Sequence, residues 1–248
     1  MYFIDKRIQV ICDQLKALRV RDSRELPDWQ YKRGLFFRPE EAERSDRPWQ
    51  PFDCKHMHWY SVYDGSDDFE GKFEGYQGDF KGIRGEHYWF RGNVTIPAEM
   101  AGKSVWMKIR TQIEEWDDAR NPQFLLFVNG EVTQGLDMNH RIVQMTDAAK
   151  AGESWSFDMQ SYTGTLYSEF DMIFEMQQVD LRVEKLYYDL IVPLRAFTRM
   201  EKDDKVRMDI ETVLNNAVNM LDLRTPYSED FYKSIDAAEE YLEKALYQ

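Results

Sequence analysis

"QFLLFVNGEVTQGLDMNHR", residues 123–141, decides the fold. Phe124 to Val128 is apolar at every position, as a central strand buried on both faces requires. Asn129-Gly130 follows at once, the pair best suited to the two positive φ angles of a type I′ hairpin turn. The stretch therefore reads as a hairpin of a β-sandwich, leaving through a polar loop that holds Asp137, Asn139 and His140.

The same period of two extends outward from this hairpin. Upstream, Tyr88, Phe90, Val94 and Ile96 share one face of a strand interrupted by Gly92, and Val105, Met107, Ile109 and Ile113 share a face of the next. Downstream, Trp155, Phe157 and Met159 alternate, as do Phe170, Met172, Phe174 and Met176. Short strands and turns across 87–192 predict a mainly β fold with flanking helices, a sandwich of the jelly-roll, galactose-binding-like kind.

Helical spacing returns at both ends. Ile4, Ile8, Ile11, Leu15 and Leu18 form one apolar stripe; Val206, Ile210, Val213, Ala217 and Met220 form another, and Phe231, Ile235, Ala238 and Leu242 a third. Between the first helix and the strands, Pro27, Pro39, Pro48 and Pro51 predict an extended connector, and glycines 65, 71, 75, 78 and 82 a long loop. The expected division is 1–52 as N-terminal helix and connector, 53–195 as sandwich, and 196–248 as a helical linker toward a further domain.

Bulk properties exclude several classes. No run of eighteen apolar residues is present to span a bilayer, and the N-terminus lacks the apolar core of a signal peptide. A formal net charge of −13 repels nucleic-acid backbones and anionic lipid. Two cysteines, Cys12 and Cys54, in 248 residues fit plain thiols in a reducing compartment. The expectation is a cytoplasmic protein with no nucleic-acid or membrane partner.

Chemical motifs mostly fail on their spacing. Gly102-Lys103-Ser104 ends like a phosphate loop, but Pro97 stands where that loop needs a glycine, and a strand follows. Asp64, Ser66 and Asp68 imitate a calcium loop, with Phe69 at its glycine and Gly75 at its bidentate glutamate. His56 and His58 would face one side of a strand together with Cys54, a spacing able to hold zinc, but no nearby acid completes the set. Glu114, Glu115, Asp117 and Asp118 crowd one short segment, whereas glycoside hydrolysis needs two carboxyl groups flanking the bond from opposite sides; a solvated acidic loop is expected there. No catalytic residue, metal ligand or cofactor is assigned within the chain.

Residues 87–141, "HYWFRGNVTIPAEMAGKSVWMKIRTQIEEWDDARNPQFLLFVNGEVTQGLDMNHR", resemble the N-terminal domain of cytosolic-type α-mannosidases of glycoside hydrolase family 38. The resemblance continues through "EKLYYDLIVPL" at 184–194 and "LNNAVNMLDLRTPYS" at 214–228. It implies that hydrolysis is performed by a following domain, which opens on a Gly-His-x-His-x-Asp strand and holds zinc. His56 and His58 are not that motif, since Lys55 replaces the glycine and Tyr60 the aspartate. The chain stops within or just after its last helix, as a piece of a larger protein would.

Two roles are thus expected. The first is a non-catalytic domain that supports and shapes the catalytic domain of an α-mannosidase, its partner being its own downstream catalytic domain. The second is a carbohydrate-binding module for mannose-containing glycans. In either role the candidate contact residues, to sugar or to a neighbouring domain, are Trp116, Asp118, Asn139 and His140, an exposed ring to stack on a sugar and polar groups for its hydroxyls. Self-association into a homo-oligomer through an uncovered apolar patch is a further expectation.

Overall fold

The computed structural model describes residues 3–26, 28–52, 87–109, 123–137, 139–162 and 172–246, together with the backbone alone of 57–59, 80–81, 110 and 168–170. In chain order the elements are α1 (Ile4–Leu18), β1 (Val20–Glu25), β2 (Trp29–Arg33), α2 (Pro39–Arg44), β3 (Gln50–Phe52), β4 (Met57–Trp59), β5 (Phe80–Lys81), β6 (His87–Thr95), β7 (Ser104–Arg110), β8 (Phe124–Val128), β9 (Glu131–Leu136), β10 (Ile142–Thr146), β11 (Ser154–Tyr162), β12 (Ser168–Phe170), β13 (Ile173–Val179), α3 (Leu181–Phe197), α4 (Lys205–Asn219) and α5 (Glu229–Leu246). The chain divides into two compact units, Met1–Asp22 with Gln178–Gln248, and Ser23–Gln177.

The strands form a mainly antiparallel β-sandwich. A six-stranded sheet runs β3-β2-β6-β11-β8-β9, a four-stranded sheet β1-β13-β7-β10, and a small third sheet β12-β4-β5. Pairing is nested: β8 with β9, β7 with β10, and β6 with β11, each pair enclosing the one before it in sequence, while consecutive pairs alternate between the two large sheets. Such nesting is the wrapping of a jelly roll. Asn129 and Gly130 take φ of 52° and 84°, which closes the β8–β9 hairpin as the sequence requires.

One core fills the space between the large sheets. Tyr88, Phe90, Val94, Trp155, Phe157 and Met159 face it from the six-stranded sheet, and Val105, Met107, Ile109, Val143, Phe174 and Met176 from the four-stranded one. Trp29 ties the two faces together, its ring stacked on that of Phe174 with centroids 3.6 Å apart. Burying each large ring stabilises the fold by about 1.5–3 kcal/mol. Opposite Trp29 in the ladder stands Gly92, where a Cβ atom would lie 2.7–2.9 Å from the indole carbons. The glycine inside this strand is thus the space the tryptophan occupies.

The helical unit has a core of its own. Ile8, Cys12 and Leu15 of α1 pack with Val183, Leu186, Leu190 and Leu194 of α3, Leu214, Ala217 and Val218 of α4, and Phe231, Ile235, Ala238 and Leu242 of α5. Asp180 caps α3 by accepting from the Val183 amide, and the Tyr232 hydroxyl donates to its other oxygen at 2.5 Å. Arg19 donates to both oxygens of the buried Glu184 at 2.9 and 3.1 Å. Burial pushes the Cys12 thiol up to about 12, with the charge of Asp13 adding to the effect, so it is an inert packing group.

Three expectations change. Residues 181–192, expected within the strands, are helix: Val183, Leu186, Leu190 and Leu194 recur at helical spacing, and Pro193 falls in the last turns of α3, where the helix tolerates it. The connector is not irregular: β2 and β3 join the six-stranded sheet, with Pro51 in a strand at its edge. In α4 the buried line runs through Leu214 and Val218, while Val206 and Met220 stay exposed.

Candidate functional site

The polar loop that leaves the opening hairpin borders a hollow of about 450 Å³ in the sandwich unit. Its lining is Gln123, Phe124, Gln134, Gly135, Leu136, Asp137 and His140. A bulge creates this wall. The β8–β9 ladder pairs Phe127 with Val132 and then Leu126 with Gln134, so Thr133 is the extra residue. Because one inserted residue reverses the parity of a strand, Val132 is left exposed while Gln134 and Leu136 turn toward the inner face.

Asp137 builds the loop. Its Oδ1 accepts the backbone N–H groups of Asn139 and His140, both at 2.7 Å, and the His140 Nδ1 lies 3.0 Å from the same oxygen and 3.1 Å from Oδ2. A carboxylate only accepts, so Nδ1 carries the proton, and in the neutral ring Nε2 is the acceptor that remains. Burial alone would raise the Asp137 carboxyl; the hydrogen bonds from the His140 ring and the two amides outweigh it and hold the group below its ordinary value. Gln134 donates to the Ile142 carbonyl at 3.2 Å, and the Ser161 hydroxyl fixes the Gln123 carbonyl at 2.6 Å.

The hollow therefore combines an apolar wall, Phe124 and Leu136, with two amide side chains and a carboxylate-anchored imidazole. This combination orients hydroxyl groups beside an apolar ring face. Of the expected contact residues, His140 lines the hollow and Asn139 sits in the exposed loop beside it. Trp116 and Asp118 lie outside the described residues, as do Glu114, Glu115, Asp117, Cys54, His56 and the glycine-rich stretch 65–85 apart from the backbone of 80–81 in β5; of His58 only the backbone in β4 is described. The sequence reading missed Gln123, Phe124 and Gln134, since their place depends on the bulge. Among the described residues no group of three or more His, Cys, Asp or Glu is gathered in a way that could hold a metal. No helix among them is long and apolar enough to cross a membrane.

No family model matches the chain, and no curated protein matches it either. Solved structures that match include glycoside hydrolases. A putative β-galactosidase from Bacteroides fragilis shares 14% identity over 64% of this chain and 24% of its own, with a TM-score of 0.39. A glycosyl hydrolase family 2 member from Bacteroides cellulosilyticus shares 14% over 64% of this chain and 20% of its own, with a TM-score of 0.40. A calcium-binding mutant of Bacteroides uniformis β-glucuronidase 2 shares 11% over 63% and 18%, with a TM-score of 0.39. The chain spans less than a quarter of the length of each of these. At such identities and TM-scores the likeness carries neither an activity nor a substrate to this chain.

Proposed function

We propose that this chain is a non-catalytic, carbohydrate-related domain of an α-mannosidase, supporting and shaping a catalytic domain carried by a continuation of the polypeptide. The observation that carries the non-catalytic part is the state of Asp137. Glycoside hydrolysis uses two carboxyl groups, about 5–5.5 Å or about 6.5–9.5 Å apart, with one able to give up a proton to the leaving oxygen. Among the described residues the hollow presents one carboxylate, and its oxygens are engaged by two amides and an imidazole of its own loop. A group held ionised in this way anchors a loop; it does not protonate a leaving group. The α-mannosidase part rests on the ordered resemblance over 87–141, 184–194 and 214–228. On this reading zinc belongs to the catalytic domain, the partner is that domain, and the location is cytoplasmic.

The composition of the hollow favours a second reading, a module that binds mannose-containing glycans. Phe124 would offer its ring, and His140, Gln134 and Asn139 would meet hydroxyls. Titration of the chain with mannose and mannobiose, followed by amide chemical shifts, separates the two. Saturable shifts confined to 134–140 support the module; unchanged spectra together with no hydrolysis of a nitrophenyl α-mannoside support the accessory domain. Turnover by this chain alone would overturn both. Downstream sequence lacking a His-x-His-x-Asp strand would remove the α-mannosidase assignment.

A further inference from the structure

Helix α3 carries apolar residues on two opposite sides. Val183, Leu186, Leu190, Leu194 and Phe197 face the helical core, with α1, α4 and α5 packed around them. At about 100° per residue, Leu181, Tyr188 and Val192 lie within about 20° of the direction opposite Leu190, and they are 38%, 47% and 58% exposed. A helix that is apolar on both sides is ordinarily covered on both. The core accounts for only one of them.

Charge is divided lengthwise along this second stripe. At its C-terminal end stand Arg195 and Arg199, both exposed, and neither guanidinium has a hydrogen-bond or ion-pair partner among the described residues. Beside its N-terminal half runs α5, held there by Arg182, which donates to Asp236 and to the Tyr232 carbonyl, and by Lys185, 3.6 Å from Glu239. Asp236, Glu239 and Glu243 recur at spacings of three and four along that side of α5, and Asp189 of α3 joins them, 2.6 Å from Lys185. These four carboxylates have two cations among them, Arg182 and Lys185, so the N-terminal half is short of positive charge. Burial raises the Glu239 carboxyl, and Asp189 and Asp236 add to the effect against the pull of Lys185. The shortfall of two matches the two unpaired arginines at the other end.

We propose that this face of α3 and α5 is the interface of a two-fold dimer of the chain. A face positive at one end and negative at the other is its own complement when a second copy lies antiparallel on it, so that Arg195 and Arg199 of each copy reach the α5 acids of the other. Parallel copies would set arginine on arginine and acid on acid. A foreign helix, acidic or basic, would satisfy one end of the face and leave the other bare. Antiparallel pairing also lays the stripe of Leu181, Tyr188 and Val192 on itself and takes it out of water. The stripe is about 25 Å long and α5 widens it to about 20 Å, so each copy offers about 500 Å², less than a standard interface. A dissociation constant of about 10–100 μM is therefore expected. The dimer rests neither on the Asp137–His140 hollow nor on the α-mannosidase reading.

Sedimentation equilibrium of the intact chain, over concentrations that bracket this constant, is the test. It is run in about 0.15 M salt, where the repulsion between two chains of net charge −13 is screened beyond about 8 Å. The expected result is a monomer–dimer equilibrium that Val192→Asp, and Arg195→Glu together with Arg199→Glu, each weaken by about tenfold or more. Lys103→Glu together with Lys150→Glu changes the net charge equally on exposed residues of the sandwich and should leave association nearly unchanged. Amide chemical shifts of the native chain need no variant to fold: those that move with concentration should fall within 181–199 and 232–243. A monomer at every concentration, assembly beyond the dimer, a dimer indifferent to the arginine reversal, equal weakening by the lysine reversal, or shifts centred elsewhere would each overturn the proposal.

Discussion

Replacing Asp137 tests how the candidate site is held together. Asp137→Ala removes an acceptor used by two backbone amides at 2.7 Å and by the His140 ring. In a buried loop this would cost several hydrogen bonds. Here the carboxylate is 37% exposed and His140 71%, so water can reach the freed donors and screens the charge. Loss of the loop anchor is then comparable to loss of a helix cap, about 1 kcal/mol at pH 7. Asp137→Asn keeps an acceptor oxygen for the amides and loses only the charge, so it should cost about half as much. The pH dependence has a definite sign. The folded carboxyl lies below its ordinary value of 3.8, so the extra stability is present above that value and disappears as pH falls through the folded pKa. Urea melts of native, Ala and Asn chains between pH 7 and pH 3 measure this. The native-to-Asn difference should be constant from pH 7 to about pH 5 and close below about pH 4. Equal destabilisation by Ala and Asn, or a difference that does not change with pH, would refute the anchor role.

Two other substitutions probe the sheet. Gly92→Ala would place a methyl 2.7–2.9 Å from the Trp29 indole, a ring stacked on Phe174 and unable to yield; we expect a loss of about 1–3 kcal/mol in urea melts, and a neutral effect would show that the ring has room to move. Asp158→Asn should stabilise the protein at pH 7 by about 1 kcal/mol, because Arg91 keeps Glu43 and is not left alone. Burial raises the Asp158 carboxyl, opposed by the charge of Arg91 and helped by Glu43 and Glu40. Its stabilising protonated form is fully present below 3.8 and is lost as pH rises through the folded pKa, so native and Asn melts should converge in acid. Destabilisation by Asn at pH 7 would show that the pair with Arg91 outweighs the burial of charge.

The inner faces of the sandwich were readable because burial on one side of a strand leaves period two, as in Tyr88, Phe90 and Val94. Helices α1 and α5 were readable for the same reason at their own period. Helix α3 carries that period too, in Val183, Leu186, Leu190 and Leu194, but Pro193 and the β-branched Ile191 and Val192 disguise it as strand. In β2 the alternation of Trp29 and Tyr31 against Gln30 and Lys32 was hidden by the prolines on either side. At the hollow, Asn139 and His140 were legible as loop polars. Gln134 and Leu136 were not, because the bulge at Thr133 is a property of the pairing between β8 and β9.

The segment 34–49, which covers the outer face of the six-stranded sheet by packing Phe36, Ala42 and Trp49 on Trp89 and Phe127, was announced without being identifiable. A strand that faces core on one side and water on the other carries large apolar residues on a single parity. Strand β6 places Trp89 between Tyr88 and Phe90, and β8 places Phe127 next to Leu126, so both parities carry rings where these strands run side by side with β11. Rings on both parities demand a cover on both faces. The inner cover is the four-stranded sheet, which the alternation of Val105, Met107 and Ile109 made visible. The outer one is a proline-flanked segment with no period of its own, held by the Phe36 and Ala42 carbonyls, the Glu43 carboxylate, the Ser45 hydroxyl, the Gly34 N–H on the His87 carbonyl and the Trp49 ring under Lys32 and Arg91. Such a cover can be read only from what it must hide, so the rings of Trp89 and Phe127 announce it while its own residues do not.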